Sequence, residues 1–211
     1  MKWTTFFTVC IIYVGVFLAA QLHPVPPAPQ YSFRSVVDLT TASSQKFQAS
    51  NASTRITAPS AVAPWSWSMD KLPPERLIAK LVVMDSSRNP QHEISMREIA
   101  EFEHAHGTIQ PGSVVIARTS ANNCPADLRG FQTEAVRFLV EGRGVYGLGS
   151  DACAERSFSR ESQTIASIKG VYQLENVSGL DHAPATGAVV IVAPQKIEAG
   201  PSGPVRLLVL E

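Results

Sequence analysis

Ser95-Met-Arg-Glu-Ile-Ala-Glu-Phe-Glu-His-Ala-His-Gly-Thr-Ile-Gln-Pro-Gly-Ser-Val-Val-Ile-Ala117 contains a helix signal followed by a strand signal. Ser95 can cap a helix over Met96–His104, and Glu98, three residues later, completes a capping box. Gly107 ends that helix. The apolar run Val114–Ala117 then has the length and composition of a buried strand. A helix followed by a buried strand is typical of an α/β domain.

The same alternation continues along the chain. Apolar runs predict two earlier strands, Val36–Leu39 and Leu81–Asp85, whereas the polar run up to Ser60 is typical of a loop. The later elements are expected in the order helix Gln132–Val140, strand Val145–Leu148, helix Glu161–Ile168, and strands Val171–Leu174, Val189–Val192 and Val205–Leu210. Alternating elements followed by strands alone favour an α/β domain with a mixed sheet and flanking helices.

Composition limits the possible functions. The chain has 211 residues, of which 45% are apolar and 17% charged, a balance that fits one globular domain with a real core. Lysines and arginines number 18, as do aspartates and glutamates, so the formal net charge is zero. We therefore expect no nucleic-acid partner and no attraction to an anionic membrane surface.

The N-terminus has the pattern of a secretory signal. Met1-Lys-Trp precedes an apolar run over Phe6–Ala20, which is shorter than a membrane span and ends in small residues. We predict a signal peptide over residues 1–20, a proline-rich leader over residues 21–35 and one domain over residues 36–211. The mature protein is then secreted and has no stable membrane span.

In a secreted protein, cysteines can form disulfides and asparagine sequons can be glycosylated. Cys124 and Cys153 remain after signal cleavage, and one disulfide and two separate thiols are both open. Asn51-Ala-Ser53 and Asn176-Val-Ser178 are glycosylation sequons, so Asn51 and Asn176 are candidate glycan sites.

The segment Asn51-Ala-Ser-Thr-Arg-Ile-Thr-Ala-Pro-Ser-Ala61 resembles the motif HxGTHxDxPxH of the cyclase family. These proteins are kynurenine formamidase-like metal-dependent hydrolases. Trp67 and Pro73-Pro-Glu-Arg-Leu77 stand at the family's usual distance from the motif, without a gap. The chain is thus similar to a secreted, animal-type member with a degenerate metal motif.

The resemblance extends along most of the mature chain. Further segments similar to the family's strands and helices are Gly107–Ile116, Phe131–Leu139, Val171–Val177, Gly187–Val192 and Gly203–Leu207. It implies the swivelling β/β/α fold. One departure is large: only Thr41–Ser50 separates the first strand from the motif, where the family has some thirty or more residues. We therefore expect a shortened N-terminal part.

The resemblance also identifies which ligands have changed. Asn51 stands at a motif position before the ligands, Arg55 replaces a His, Thr57 the Asp and Ala61 the closing His. Gln163 stands where a distal His is expected, twelve residues before the metal-site Glu175. The ancestral site would bind zinc or manganese. One carboxylate cannot hold a catalytic metal, so we expect no cofactor.

Three hypotheses about nearby chemistry follow. The Arg55 guanidinium can stand in for the lost cation and neutralise Glu175. The histidines suggest no relocated metal site, since His104 and His106 are two apart and would face different sides of a helix. The segment Gly147-Leu-Gly-Ser-Asp151 is not a nucleophile elbow, and the role of the family's loop aspartate is not carried over to Asp151.

Two functions remain open. The first is a secreted pseudoenzyme that binds an unknown small molecule or protein and can form a homo-oligomer. The alternative is an active amide hydrolase of the arylformamidase type, which would convert N-formylkynurenine to kynurenine in tryptophan catabolism. Turnover of a formamide with Zn²⁺ or Mn²⁺ present distinguishes the two.

Overall fold

The computed structural model describes residues 33–41, 53–88, 93–119, 130–152 and 157–211, and every structural statement below refers to these residues. The predicted signal peptide, residues 21–32 of the predicted leader, Asn51 and both mature-chain cysteines lie outside them. The described part from Phe33 to Glu211 is one compact unit. None of its described helices is long and apolar enough to cross a membrane.

Eight strands and three helices make up the described chain. The strands are β1 Val36–Asp38, β2 Arg55–Thr57, β3 Ile78–Asp85, β4 Val114–Arg118, β5 Gly147–Ser150, β6 Tyr172–Glu175, β7 Val189–Pro194 and β8 Ser202–Leu210. The helices are α1 Met96–His106, α2 Thr133–Arg137, which continues as a π-helical turn over Phe138–Gly142, and α3 Arg160–Ile168. Short 3-10 turns occur at Pro59–Ala61, Met69–Lys71, Pro74–Arg76 and Leu180–His182.

The sheet closes on itself. Its strand order is β1-β8-β2-β6-β5-β4-β3-β7, and β7 also pairs with β8, so seven strands form a closed ring to which β1 is added. The strands β3, β4, β5 and β6 pair in parallel, whereas the pairs that involve β1, β2, β7 and β8 are antiparallel. The predicted mixed α/β fold is confirmed.

Two apolar cores lie on the two faces of this ring. The inner core is built from strand residues such as Ile56, Leu174 and Leu207. The outer core lies between the ring and the helices and includes Val115, Leu139 and Ile165. Because successive strand residues point to opposite faces, one strand supplies both cores.

Most predicted elements are found, with shifted ends. Helix α1 has the predicted capping box: the Ser95 hydroxyl accepts from the Arg97 N–H, and Glu98 Oε2 accepts from the Ser95 N–H at 3.0 Å. The strand predicted over Val145–Leu148 lies two residues later, as β5. The loop predicted up to Ser60 is wrong where β2 lies, because pairing with β6 and β8 makes three residues a strand.

The ends of the short connection after β1 are held together. The Thr41 N–H donates to Thr54 Oγ1 at 2.7 Å, and the Thr54 N–H donates to the Thr41 carbonyl at 3.3 Å. The residues that flank the connection, Thr41 and Thr54, therefore lie in direct contact. A longer connection between the same two ends would add little closure entropy.

Candidate functional site

Strands β2 and β6 carry three of the six predicted site positions. Their register partners Ile56 and Leu174 both lie in the inner core. The residues on either side must therefore face outward, toward the helices. Four polar side chains share this outer face: Arg55, Thr57, Gln173 and Glu175. Arg55 lies directly opposite Glu175, and Thr57 directly opposite Gln173.

Helix α3 brings the next predicted position to this face. It begins where the Ser159 hydroxyl accepts from the Ser162 N–H at 3.1 Å. Its side chains Ile165 and Ala166 pack in the outer core, and the helix contacts both β6 and the turn Pro59–Ala61. Gln163 lies on this helix and donates from Nε2 to the Phe158 carbonyl at 3.3 Å.

The fold thus places five separated sequence positions in neighbouring elements: Arg55 and Thr57 on β2, Ala61 in the turn that contacts α3, Gln163 on α3 and Glu175 on β6. The sixth predicted position, Asn51, lies outside the described residues. We call these five positions the β2–α3 site.

The side chains of the β2–α3 site do not fit a divalent metal. Zinc needs several neutral imidazoles, thiolates or carboxylates that converge, and a catalytic site normally supplies three. Here Glu175 is the sole carboxylate, Ala61 has no donor atom, and Arg55 brings a permanent positive charge. Elsewhere in the described part, no three His, Cys, Asp or Glu side chains are grouped to hold a metal ion.

Arg55 and Glu175 are paired through their backbones, as the hypothesis of charge replacement requires. Their side chains do not form a direct ion pair within 4 Å, however. The Arg55 Nη2 instead donates to Ser202 Oγ at 3.1 Å. Glu175 is 8% exposed and is engaged in a polar or electrostatic contact of its own. A direct Arg55–Glu175 salt bridge is therefore not part of this structure.

Asn176, directly after β6, joins the site to the connection after β1. Its carbonyl accepts from Thr54 Oγ1 at 2.7 Å and from Thr41 Oγ1 at 3.1 Å. Its backbone has a φ of 54°, a left-handed conformation that Asn tolerates better than most residues. The side-chain Nδ2, the atom that a glycan would modify, donates to the Ser53 carbonyl at 3.2 Å. Glycosylation of Asn176 stays a prediction and would have to replace that hydrogen bond.

The described histidines lie on elements other than those of the β2–α3 site. His104 and His106 lie in the last turn of α1, where the His106 ring lies 4.6 Å from the ring of Phe102. His182 Nδ1 lies 3.0 Å from a carboxylate oxygen of Asp181. His23 and His92 lie outside the described residues.

Sequence reasoning missed polar contacts at the carboxyl ends of the parallel strands. Asp151, after β5, accepts from the Thr119 N–H at 2.8 Å. Asp85, at the end of β3, forms a hydrogen-bonded ion pair with Arg118 of β4. Burial raises the pKa of Asp85, but hydrogen bonds from Arg118 and Ser87 outweigh it and lower the pKa to about 2. These pairs join neighbouring strand ends, and no single-sequence spacing indicates them.

A cavity of about 410 Å³ lies between the end of α1 and strands β3 and β7, and no residue of the β2–α3 site lines it. Its walls include Phe102, His106 and Ile109 on one side and Gly187 and Val189 on the other. No sequence pattern indicated this cavity.

Comparisons with known proteins agree with the fold. An isatin hydrolase from Roseibium aggregatum is 28% identical over 164 residues, which cover 67% of this chain and 62% of that protein. The chain thus spans less than two thirds of the length of this curated relative. The solved structure of isatin hydrolase A from Labrenzia aggregata, bound to benzyl benzoate, is 25% identical with a TM-score of 0.71, covering 83% of this chain and 93% of that one.

A second solved structure, of a potential metal-dependent hydrolase with cyclase activity, is 18% identical and shows the same fold. Its TM-score is 0.66, and the match covers 83% of this chain and 97% of that one. The model of the family described as "Cyclase: Putative cyclase" matches residues 16–155, which is more than half of the chain. This protein belongs to the cyclase family.

Proposed function

We propose that this chain is a secreted cyclase-family protein that has lost metal-dependent hydrolase activity and acts as a binding protein. The observation that carries the proposal is the composition of the β2–α3 site. The fold brings Arg55, Thr57, Ala61 and Gln163 to neighbouring elements around Glu175, and these side chains provide one carboxylate and one guanidinium.

The chemistry explains why this composition matters. A hydrolytic metal polarises the carbonyl of an amide and lowers the pKa of its bound water to about 7, so that hydroxide forms at neutral pH. A guanidinium can donate hydrogen bonds to a carbonyl oxygen, but it binds no water as a ligand and generates no hydroxide. Glu175 alone could act as a general base toward water, but the site would lack the Lewis acid that polarises the amide carbonyl and lowers the pKa of that water.

The N-terminal sequence supports secretion. Residues 1–20 have the pattern of a signal peptide, and two sequons are consistent with passage through the secretory pathway. Secretion is tested by expressing the full chain in cultured cells and sequencing the N-terminus of the protein in the medium. An N-terminus near residue 21 is expected, and retention of the whole chain inside the cells would contradict secretion.

Loss of activity is tested by hydrolysis assays with Zn²⁺ or Mn²⁺ present. Isatin is the first substrate, because relatives of this chain carry the name isatin hydrolase, and N-formylkynurenine is the second. We expect no turnover above a metal-only control. Turnover by the purified chain that Glu175→Gln abolishes would show an active hydrolase and overturn the proposal. Turnover unchanged by Glu175→Gln would be assigned to a contaminant.

A further inference from the structure

The partly buried arginines of the described chain differ in their partners. Five arginines have intermediate exposure: Arg55, Arg76, Arg118, Arg137 and Arg143. Three of these form ion pairs with aspartate or glutamate. Arg76 lies between two aromatic rings, 4.4 Å from the centre of Trp67 and 4.6 Å from that of Tyr146. Arg55 has neither kind of partner.

The only side-chain hydrogen bond that Arg55 makes with described residues is the one from Nη2 to the neutral hydroxyl of Ser202, at 3.1 Å. A guanidinium has five N–H donors in a planar fork and stays charged at every physiological pH. Charges removed from water are normally matched by an opposite charge or by an aromatic face. The unused donors of Arg55 therefore suit an anion from outside the described chain.

Other polar groups of neighbouring elements also have unused hydrogen-bonding capacity. Gln173 is 2% exposed, and its side-chain amide makes no hydrogen bond within the described residues. Ser167 of α3 is fully buried, and its hydroxyl has no described partner. Ser60, in the turn that contacts α3, is partly exposed, but its hydroxyl oxygen is buried and also has no described partner. Buried polar groups are almost always satisfied by protein, water or ligand. Gln173 lies opposite Thr57, two residues from Arg55 on the same strand face, so an unused polar group lies beside a cation that has no ion pair within the described residues.

We propose that the β2–α3 site binds a small organic monocarboxylate, which Arg55 holds through its guanidinium. This inference rests on the proposed loss of hydrolase activity, since the guanidinium replaces the metal ligand. A guanidinium and a carboxylate match in geometry and can form two parallel hydrogen bonds. The hydroxyl of Thr57, two residues along the same strand face, and the amide of Gln173 opposite it are further donors.

The charges favour one negative charge on the ligand over two. Glu175 lies opposite Arg55 in the strand register, so an anion bound to Arg55 lies close to a second carboxylate. A single guanidinium can balance one carboxylate, but a phosphate dianion would bring two charges close to Glu175. A neutral amide of the same shape would not compensate the guanidinium charge at all. The site should therefore discriminate by charge between ligands of equal size.

The test uses benzoate and its neutral isostere benzamide, measured by isothermal titration calorimetry on the full secreted chain. We expect one benzoate per chain and at least about tenfold weaker binding of benzamide, because a hydrogen bond to a charged group contributes about 1.5–3 kcal/mol. Arg55→Met should weaken benzoate binding by about 10- to 100-fold. Arg97→Met, at an arginine on the exposed face of α1, is the matched control and should bind benzoate as the native chain does.

Two further variants keep the test informative if Arg55→Met does not fold. Arg55→Lys keeps the positive charge but cannot donate two parallel hydrogen bonds to one carboxylate, so it should weaken benzoate binding at least several-fold. Thr57→Ala should also weaken benzoate while leaving the guanidinium in place. Equal affinity for benzoate and benzamide, or no benzoate binding by the folded chain, would overturn the inference. If the chain retains no metal and binds no benzoate, the inference of a carboxylate site fails while the proposed function stands. If the chain retains a metal and hydrolyses a substrate, the proposed function itself is contradicted.

Discussion

Restoring the family's ligands should restore metal binding. The variant carries four substitutions, Arg55→His, Thr57→Asp, Ala61→His and Gln163→His, and keeps Glu175. It rests on the placement of these positions: residue 55 lies opposite Glu175 in the β2–β6 register, and α3 contacts both β6 and the turn that contains residue 61. The five donors then include three imidazoles and two carboxylates, a set that zinc accepts.

The size of the effect follows from linkage between binding and folding. A metal that binds only the folded chain, at one hundred times its dissociation constant, stabilises the chain by about 2.7 kcal/mol. In a domain of this length each kcal/mol shifts Tm by about 2–4 °C, so zinc should raise Tm of the variant by roughly 5–11 °C. Zinc should leave Tm of the native chain unchanged.

Differential scanning calorimetry with and without Zn²⁺ measures this shift, and mass spectrometry counts the metal per chain. The control is the same variant with Glu175→Gln in addition, which removes one ligand and should bind zinc more weakly. A folded four-substitution variant that retains no metal and shows no zinc-dependent Tm would refute the assignment of these positions as the ancestral ligands.

Three predictions concern stability. Arg143 donates two hydrogen bonds to the Glu103 carboxylate, at 2.6 and 2.7 Å. Arg143→Met should therefore lower the free energy of unfolding, measured by urea denaturation, by about 1.5–3 kcal/mol. An unchanged denaturation midpoint would contradict this prediction. Ser95→Ala should cost about 1 kcal/mol through loss of the α1 cap, whereas Ser95→Asp should restore most of it. The pKa of Asp85 lies below its ordinary value of 3.8, so its pair with Arg118 stabilises above about pH 4 and is lost as pH falls toward 2. The stability difference between the native chain and Arg118→Met should therefore shrink over that interval, and a constant difference from pH 5 to pH 2 would show that the pair is not responsible.

The elements with strong local signals could be predicted from the sequence. Helix α1 has a capping box at Ser95 and a glycine at its end, and both operate within a few residues of the chain. The apolar run of β4 is long enough to be recognised as buried without knowledge of its neighbours. In these elements local preference and tertiary packing agree.

Strands β2 and β5 depend on their neighbours. β2 has three residues, too few for a periodic pattern, and becomes a strand because β6 and β8 pair with it on both sides. β5 has the sequence Gly-Leu-Gly-Ser, which has little strand preference. A side chain at Gly147 would clash with the ring of Tyr172, so close packing of β6 explains a residue that propensity disfavours.

The candidate site could be predicted only as a set of positions, whose role as ancestral metal ligands stays a prediction, and its side-chain contacts could not be predicted. The resemblance identified Arg55, Thr57, Ala61, Gln163 and Glu175, and the fold brings their elements together. Arg55 and Glu175 form no direct ion pair, and the guanidinium instead donates to Ser202, which strand β8 places beside β2. Which of two nearby partners a side chain bonds to depends on three-dimensional geometry, so it could not be predicted from a single sequence.

We propose that this chain has lost the metal chemistry of its family. The most direct measurement is the metal content per chain, determined by mass spectrometry on secreted protein that has been incubated with Zn²⁺ and Mn²⁺ and then desalted. We expect that no metal is retained. Close to one metal per chain, lost on Glu175→Gln, would contradict it and show that the β2–α3 site still binds a cation.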